Sequence, residues 1–181
     1  MTQKVAIVTG SSSGMGFETS LILARNGFYT YATMRKLEGE GSKRLTDFTK
    51  KENLPLQVIR LDVNDDKSVK DAIDAILKEK DRIDVVVNNA GYDLMGALEE
   101  TSLNELKAQF ETNLFGAVRV LQAVIPIMRK QKAGTIVNIT SLGGRVSFPL
   151  NSAYHATKFA FEGLSESIQY ELEPLESKSL S

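Results

Sequence analysis

"KVAIVTGSSSGMG", residues 4–16, passes from an unbroken apolar run through a glycine-rich loop into a segment of helical period. Residues 4–9 carry apolar side chains on both parities, as a strand covered on both faces does. Gly10, Gly14 and Gly16 follow with the spacing G-x-x-x-G-x-G. The first permits a tight turn, the second lets backbone approach a pyrophosphate, and the third allows close helix packing. The amides and positive dipole end of the following helix favour an anion. A lone loop of this kind also suits an ordinary strand-to-helix turn, so the rest of the chain decides between the two readings.

The rest of the chain is a series of βα units. After the loop, Phe17, Leu21 and Ala24 mark the apolar side of a helix that ends at Asn26-Gly27. Further strands are predicted at 29–33, 56–61, 83–87 and 135–140, and helices at 42–52 and 66–80. The 66–80 helix repeats Val69, Ala72, Ile73, Ile76 and Leu77 on one face. A long helix from about Ser102 spaces Leu103, Leu106, Phe110, Leu114, Val118 and Leu121 by three and four. Pro126 is expected to kink or loosen it. The last helix is predicted from Ala153 to Leu172, stopping at Pro174. Five such units imply an α/β fold: a parallel sheet with helices on both faces and ligands at the carboxyl ends of its strands.

Length and composition agree with one domain over residues 1–181. Apolar residues make up 42% and charged residues 25%, with a net charge of −1, which supplies no basic face for nucleic acid and no polybasic tract for a membrane. Without cysteine, and with a single histidine, neither disulfides nor a thiolate or imidazole metal site is expected. The N-terminal apolar stretch is shorter than a signal core and no segment has spanning length, so a cytoplasmic protein is expected.

The second predicted strand ends in Met34-Arg35-Lys36, where a site selective for NAD places a carboxylate against the ribose 2'-hydroxyl. Arg35 suits a 2'-phosphate through its planar fork and Lys36 adds charge, so NADP(H) is favoured over NAD(H).

The ordered motifs resemble the short-chain dehydrogenase/reductase family. They are TGSSSGMG at 9–16, Asp62-Val63 after the third strand, Asn88-Asn89-Ala90-Gly91 after the fourth, Asn113 in the long helix, Ser141 after the fifth strand, and Tyr154 with Lys158. The stretch LEETSLNELKAQFETNLFG resembles members acting on steroids, retinoids and other lipophilic alcohols. The resemblance implies a Rossmann-like, doubly wound sheet of five strands in the order 3-2-1-4-5. It implies a cofactor held by Gly10, Ser12, Ser13, Gly14, Met15, Gly16, Arg35, Asp62, Val63, Asn89, Ala90 and Gly91, with Tyr154 and Lys158 at its nicotinamide end. Catalysis is expected from Asn113, Ser141, Tyr154 and Lys158, and a homodimer or homotetramer through the two long helices. Family members normally continue beyond the final helix with further strands, whereas here EPLESKSLS follows Leu172. The fifth strand is therefore expected at a sheet edge, with association as one consequence.

Hydride transfer to a carbonyl builds negative charge on its oxygen, which calls for a proton donor and local hydrogen bonds. Tyr154 is the candidate donor. Free tyrosine ionises near pH 10, and a Lys158 ammonium one helical turn away favours the phenolate; at about 4 Å the attraction is on the order of 4 kcal/mol. Ser141 is placed to hydrogen-bond the substrate oxygen. The same resemblance implies that Asn113 anchors a water between Lys158 and solvent, with a backbone hydrogen bond as its alternative. His155 is read as packing or surface, and Glu99, Glu100 and Glu111 as solvated faces. Tyr92, Leu94, Phe148 and Leu150, in loops at the cleft, point to a small apolar substrate. The expected function is an NADP-dependent oxidoreductase interconverting an alcohol and a ketone or aldehyde. The alternative is a dinucleotide-binding protein with little or no activity.

Overall fold

The apolar run after Lys4 is buried throughout and becomes β1 (Val5–Val8), the central strand of a parallel sheet. The structure, a computed structural model, describes residues 3–172; the predicted helix stop at Pro174 lies outside them. The series continues with α1 (Gly14–Arg25), β2 (Tyr29–Met34), α2 (Glu40–Glu52), β3 (Leu56–Arg60), α3 (Asp66–Lys80) and β4 (Val85–Asn88). Then follow α4 (Leu103–Phe110), a π-helical turn (Glu111–Phe115), α5 (Gly116–Gln131), β5 (Thr135–Asn138), a 3-10 turn (Leu142–Gly144) and α6 (Ser152–Leu172). The strand order is β3-β2-β1-β4-β5, as the resemblance implied.

Successive strand residues face opposite sides, and the core divides accordingly. Tyr31, with Val5 and Ile7, packs against Ile73 and Ile76 of α3 and Val120 and Val124 of α5. Ala32 and Met34 pack on the other face against Phe17 and Leu21 of α1 and Leu45 of α2. The register pairs Val8 with Ala32 and Val87, and Val87 with Val137. The loops leaving β1, β2, β4 and β5 therefore open at one end of the sheet.

At the opposite end Asp84, 8% exposed, anchors the start of β1. Its Oδ2 accepts from the Val5 N–H at 2.8 Å and from Arg82 Nε at 2.8 Å. Burial alone would raise the carboxyl, but these hydrogen bonds and the guanidinium charge outweigh it and hold Asp84 below the usual carboxylate range. A depressed carboxylate contributes stability that is present above its unfolded pKa, about 3.9, and lost as pH falls through the folded value. Asp84→Asn is therefore expected to cost about 2–3 kcal/mol at pH 7. In urea melts at several pH values, the gap between wild type and variant should narrow below about pH 4.

The long helix departs from expectation in two ways. Its break from α geometry lies at Glu111–Phe115, whereas Pro126 sits within α5. Of the apolar residues spaced by three and four, Leu121 is buried but Leu103 is 70% exposed, and Leu106, Phe110, Leu114 and Val118 are half-buried. The inward face carries Gln109, Asn113, Gly116, Ala117, Val120 and Val124 instead. Polar amides occupy it because they hydrogen-bond the loop after β4, and the small residues let α5 lie close: a Cβ on Gly116 would meet Val63 Cγ2 at 2.7 Å.

β5 lies at the sheet edge, as expected. Among the described residues it pairs with β4 alone, and Val137 is 38% exposed. No helix among those residues is long and apolar enough to cross a membrane.

Candidate functional site

The glycine loop opens into a cleft of about 800 Å³ that runs along the carboxyl ends of β1–β4. Gly10 and Gly14 take positive φ, 68° and 57°, and a Cβ on Gly14 would meet nothing within 4 Å. Nothing on the protein's own surface therefore demands glycine at 14 by crowding; its backbone faces open space. No side chain caps α1, and its first turn contains no acidic residue. The first α1 amides thus suit an external anion, and the positive end of the helix dipole adds to that preference. Ser12, Ser13, Met15, Arg35, Asp62, Val63, Asn89, Ala90 and Gly91 line the same cleft. Arg35 is exposed there, with no ion pair among the described residues. A pyrophosphate-bearing nucleotide fits this donor set. Met34, Leu61 and Ala108 add apolar surface to the lining, and Asn64, Glu111 and Thr112 add polar groups.

Gly16 lies behind the cleft. A Cβ there would stand 2.5 Å from the Gly10 carbonyl oxygen and closer still to Asn89 Nδ2. That amide donates to the carbonyls of Thr9 at 2.9 Å and Gly10 at 3.2 Å, while Thr9 Oγ1 accepts from the N–H groups of Asn89 and Ala90, each at 3.0 Å. The loops after β1 and β4 are thus stitched together, with α1 seated on the seam.

Asn113 lies in the π turn, 1% exposed. Its Oδ1 accepts from Tyr92 N–H at 3.0 Å, and its Nδ2 donates to Tyr92 O at 2.8 Å and to Thr157 Oγ1 at 3.2 Å. Thr157 in turn donates to the Tyr154 carbonyl at 2.8 Å. The amide therefore links the loop after β4 to the first turns of α6. This is the backbone partnership given above as the alternative to a water anchor. Gln109 Nε2 adds a second donor to Tyr92 O at 3.0 Å.

Ser141 precedes the 3-10 turn, and its Oγ accepts from the Gly143 N–H at 3.0 Å. That contact uses a lone pair and leaves the hydroxyl hydrogen to donate elsewhere. The turn presses on α6: a Cβ on Gly143 would lie 3.3 Å from Tyr154 Cε1. Lys158, 6% exposed, donates from Nζ to the Ile139 carbonyl at 2.8 Å, two residues before Ser141. Its Nζ is 5.7 Å from the centre of the Tyr154 ring. The ammonium therefore stands beside the Tyr154 ring while bonded to the carbonyl that follows β5. Burial pushes the Lys158 ammonium below its ordinary pKa, with Glu162 opposing.

The 3-10 turn after β5 and the first turns of α6 thus gather Ser141, Tyr154 and Lys158, and Asn113 ties these turns of α6 to Tyr92, which lines the cleft. Several contributors escaped the sequence reading. Thr9 was read only as the end of the first strand and the first residue of the glycine motif, although its hydroxyl holds two amides. Gly41, at the start of α2, packs so tightly on Ser12 O that no side chain fits. Asn138 accepts from Asn88 Nδ2 at 2.9 Å and donates to Ser165 Oγ at 2.8 Å, tying β4, β5 and α6 behind the site. Polar residues at an apolar strand end were the available signal for Asn88 and Asn138; Gly41 had none. No cluster of metal-ligating side chains occurs among the described residues.

Comparison with known proteins extends these observations. A family model described as short chain dehydrogenase matches residues 4–176. The 3-ketodihydrosphingosine reductase of Bacteroides thetaiotaomicron is 37% identical over 178 residues, covering 98% of this chain and 62% of that protein. The 17-beta-hydroxysteroid dehydrogenase type 1 of Mus musculus is 38% identical over 174 residues, covering 93% of this chain and 49% of that protein. Among solved structures, a metagenomic short-chain oxidoreductase in complex with NADP superposes with a TM-score of 0.90 at 28% identity, over 96% of this chain and 78% of that one. The chain thus spans about half of one of the two named relatives and about three fifths of the other. A match running from the first strand to the final helix, rather than over the glycine loop alone, decides membership: the chain belongs to the short-chain dehydrogenase family.

Proposed function

We propose that the chain is an NADP(H)-dependent oxidoreductase that interconverts an alcohol and a ketone or aldehyde. The observation that carries this reading is the gathering of Ser141, Tyr154 and Lys158 around the 3-10 turn and the start of α6, tied through Asn113 to the loop after β4 that lines the cleft of the glycine loop and Arg35. A bound nicotinamide supplies or accepts the hydride. In the reducing direction Tyr154 Oη donates its proton to the carbonyl oxygen, and the Ser141 hydroxyl donates a hydrogen bond to the same oxygen. Lys158 adds positive charge beside the phenol and would hold the nicotinamide ribose of a bound cofactor. Asn113 positions the first turns of α6 through Thr157.

The substrate is proposed to be apolar. Tyr92, Met95, Leu142, Phe148 and Leu150 are exposed around this end, and two of the similar proteins are named for a ketosphingosine and a hydroxysteroid. A dimer or tetramer through α4, α5 and α6 is supported by the outward apolar stripe of the long helix, together with Phe159 and Tyr170 on α6. A second reading, a nucleotide-binding protein with little turnover, draws on the edge position of β5: no described residue closes the cleft beyond it.

Thermal-shift titration with NADPH and NADH, followed by turnover of a ketone panel, separates the readings. Stabilisation by NADPH with turnover supports the first; stabilisation without turnover supports the second; no shift with either nucleotide overturns both. Arg35→Leu should weaken NADPH about 10- to 100-fold and NADH less than about threefold, since a paired guanidinium–phosphate contact is worth about 1.5–3 kcal/mol. Equal loss for both nucleotides would remove the 2'-phosphate role.

A further inference from the structure

His155 is the chain's single histidine and is 5% exposed. Its two ring nitrogens hold two points of one loop. The Phe148 N–H donates to Nε2 at 2.9 Å, and Nδ1 lies 2.8 Å from the Gly143 carbonyl oxygen. A backbone N–H can only donate and a carbonyl oxygen can only accept, so the imidazole is neutral with its proton on Nδ1. The ring also packs on Phe148, centroids 5.5 Å apart, and lies 6.1 Å from the Tyr154 ring. The contact at Gly143 is close enough to exclude any side chain: a Cβ there would stand 2.7 Å from His155 Nδ1.

The far end of the loop is fixed as well. Leu150 has φ 64°, a conformation that leucine holds only where its surroundings determine it. Its carbonyl accepts from the Gly96 N–H at 2.7 Å, and Asn151 Nδ2 donates to Asp93 Oδ2 at 3.0 Å. The loops after β4 and β5 are thereby joined across the mouth of the site. Between His155 and this bridge, Val146, Phe148 and Leu150 stand exposed.

We infer that His155 is a positioning residue: as the neutral Nδ1–H tautomer it pins Gly143 and Phe148 against α6 and so sets the apolar, specificity-determining wall beside Tyr154. The consequence for substrate rests on the reaction proposed above; the clamp itself does not.

Long-range 1H–15N correlation spectra of the 15N-labelled 181-residue chain give one imidazole pattern, free of overlap. A protonated Nδ1 with an unprotonated Nε2 is expected, together with slow hydrogen exchange at the Phe148 amide. The Nε2–H tautomer, or a rapid average of the two, overturns the clamp without any variant being made. In His155→Phe the Phe148 amide should exchange about tenfold faster. With 2-decanone and NADPH, its KM should rise about tenfold while kcat stays within about threefold. His155→Gln, whose amide oxygen can accept from the Phe148 N–H, should restore KM to within about threefold of wild type. A fall in kcat at unchanged KM, or unchanged Phe148 exchange in His155→Phe, contradicts the positioning role. If the wild-type chain reduces no ketone, the proposed reaction fails, and the clamp is decided by tautomer and exchange alone.

Discussion

Tyr154→Phe is expected to lower kcat/KM for a ketone about 10³-fold while NADPH affinity stays within about threefold. The substitution removes one oxygen. The ring remains to pack beside Gly143 and His155, and Lys158 keeps its bond to the Ile139 carbonyl. The glycine loop, Arg35 and the Asn89 seam are untouched, so any loss belongs to proton transfer rather than nucleotide binding. A 10³-fold loss corresponds to about 4 kcal/mol of transition-state stabilisation. Ser141 still offers a hydrogen bond to the developing oxyanion, so catalysis falls without vanishing. Steady-state rates with saturating NADPH, paired with thermal-shift affinities, measure both quantities. Activity within tenfold of wild type would show that another group delivers the proton. Loss of NADPH binding alongside activity would show that the phenol supports the nucleotide instead.

Much of this constellation was legible because local rules and tertiary demands coincide in it. The strands are short β-branched runs, and the predicted helix at 66–80 matches α3 because Asp65 caps its start, accepting from the N–H groups of Lys67 and Ser68. Gly10 and Gly14 were readable from chirality alone, since φ above zero is costly for any other residue. The long helix shows where pattern fails. Its apolar residues at three and four spacing mark one face of the helix, yet the protein turns amides inward there to hold Tyr92. Periodicity locates a stripe but does not say whether its partner is the same domain or another copy. His155 shows a different limit: adjacency to Tyr154 placed it about 100° around the helix, and nothing local foretold that the 143–148 loop would fold back onto its ring. The bond from Lys158 to the Ile139 carbonyl was not foreseeable either, because the end of β5 reaches α6 only through the fold.

Gly16→Val is expected to destabilise the chain by about 3 kcal/mol and to abolish the NADPH-induced thermal shift. Two neighbours fill the space a side chain would take: the Gly10 carbonyl, 2.5 Å from the ideal Cβ, and the amide nitrogen of Asn89. The first is backbone in the loop proposed to cradle the phosphates. The second is committed to the carbonyls of Thr9 and Gly10, so moving it opens the seam between the loops after β1 and β4. Either relief displaces the first turn of α1, and with it the amides that favour an anion. For a domain of this size the melting temperature should fall by about 6–12 °C. Gly14→Val is the informative contrast. No atom lies within 4 Å of its ideal Cβ, so its cost comes from φ of 57° and from the cleft it would invade rather than from packing. Both variants should lose NADPH binding, but the Gly16 variant should melt lower. Retention of the NADPH shift in Gly16→Val would mean that the seam is not what holds the glycine loop in its binding shape. Retention in Gly14→Val would mean that the nucleotide does not approach the loop at that point.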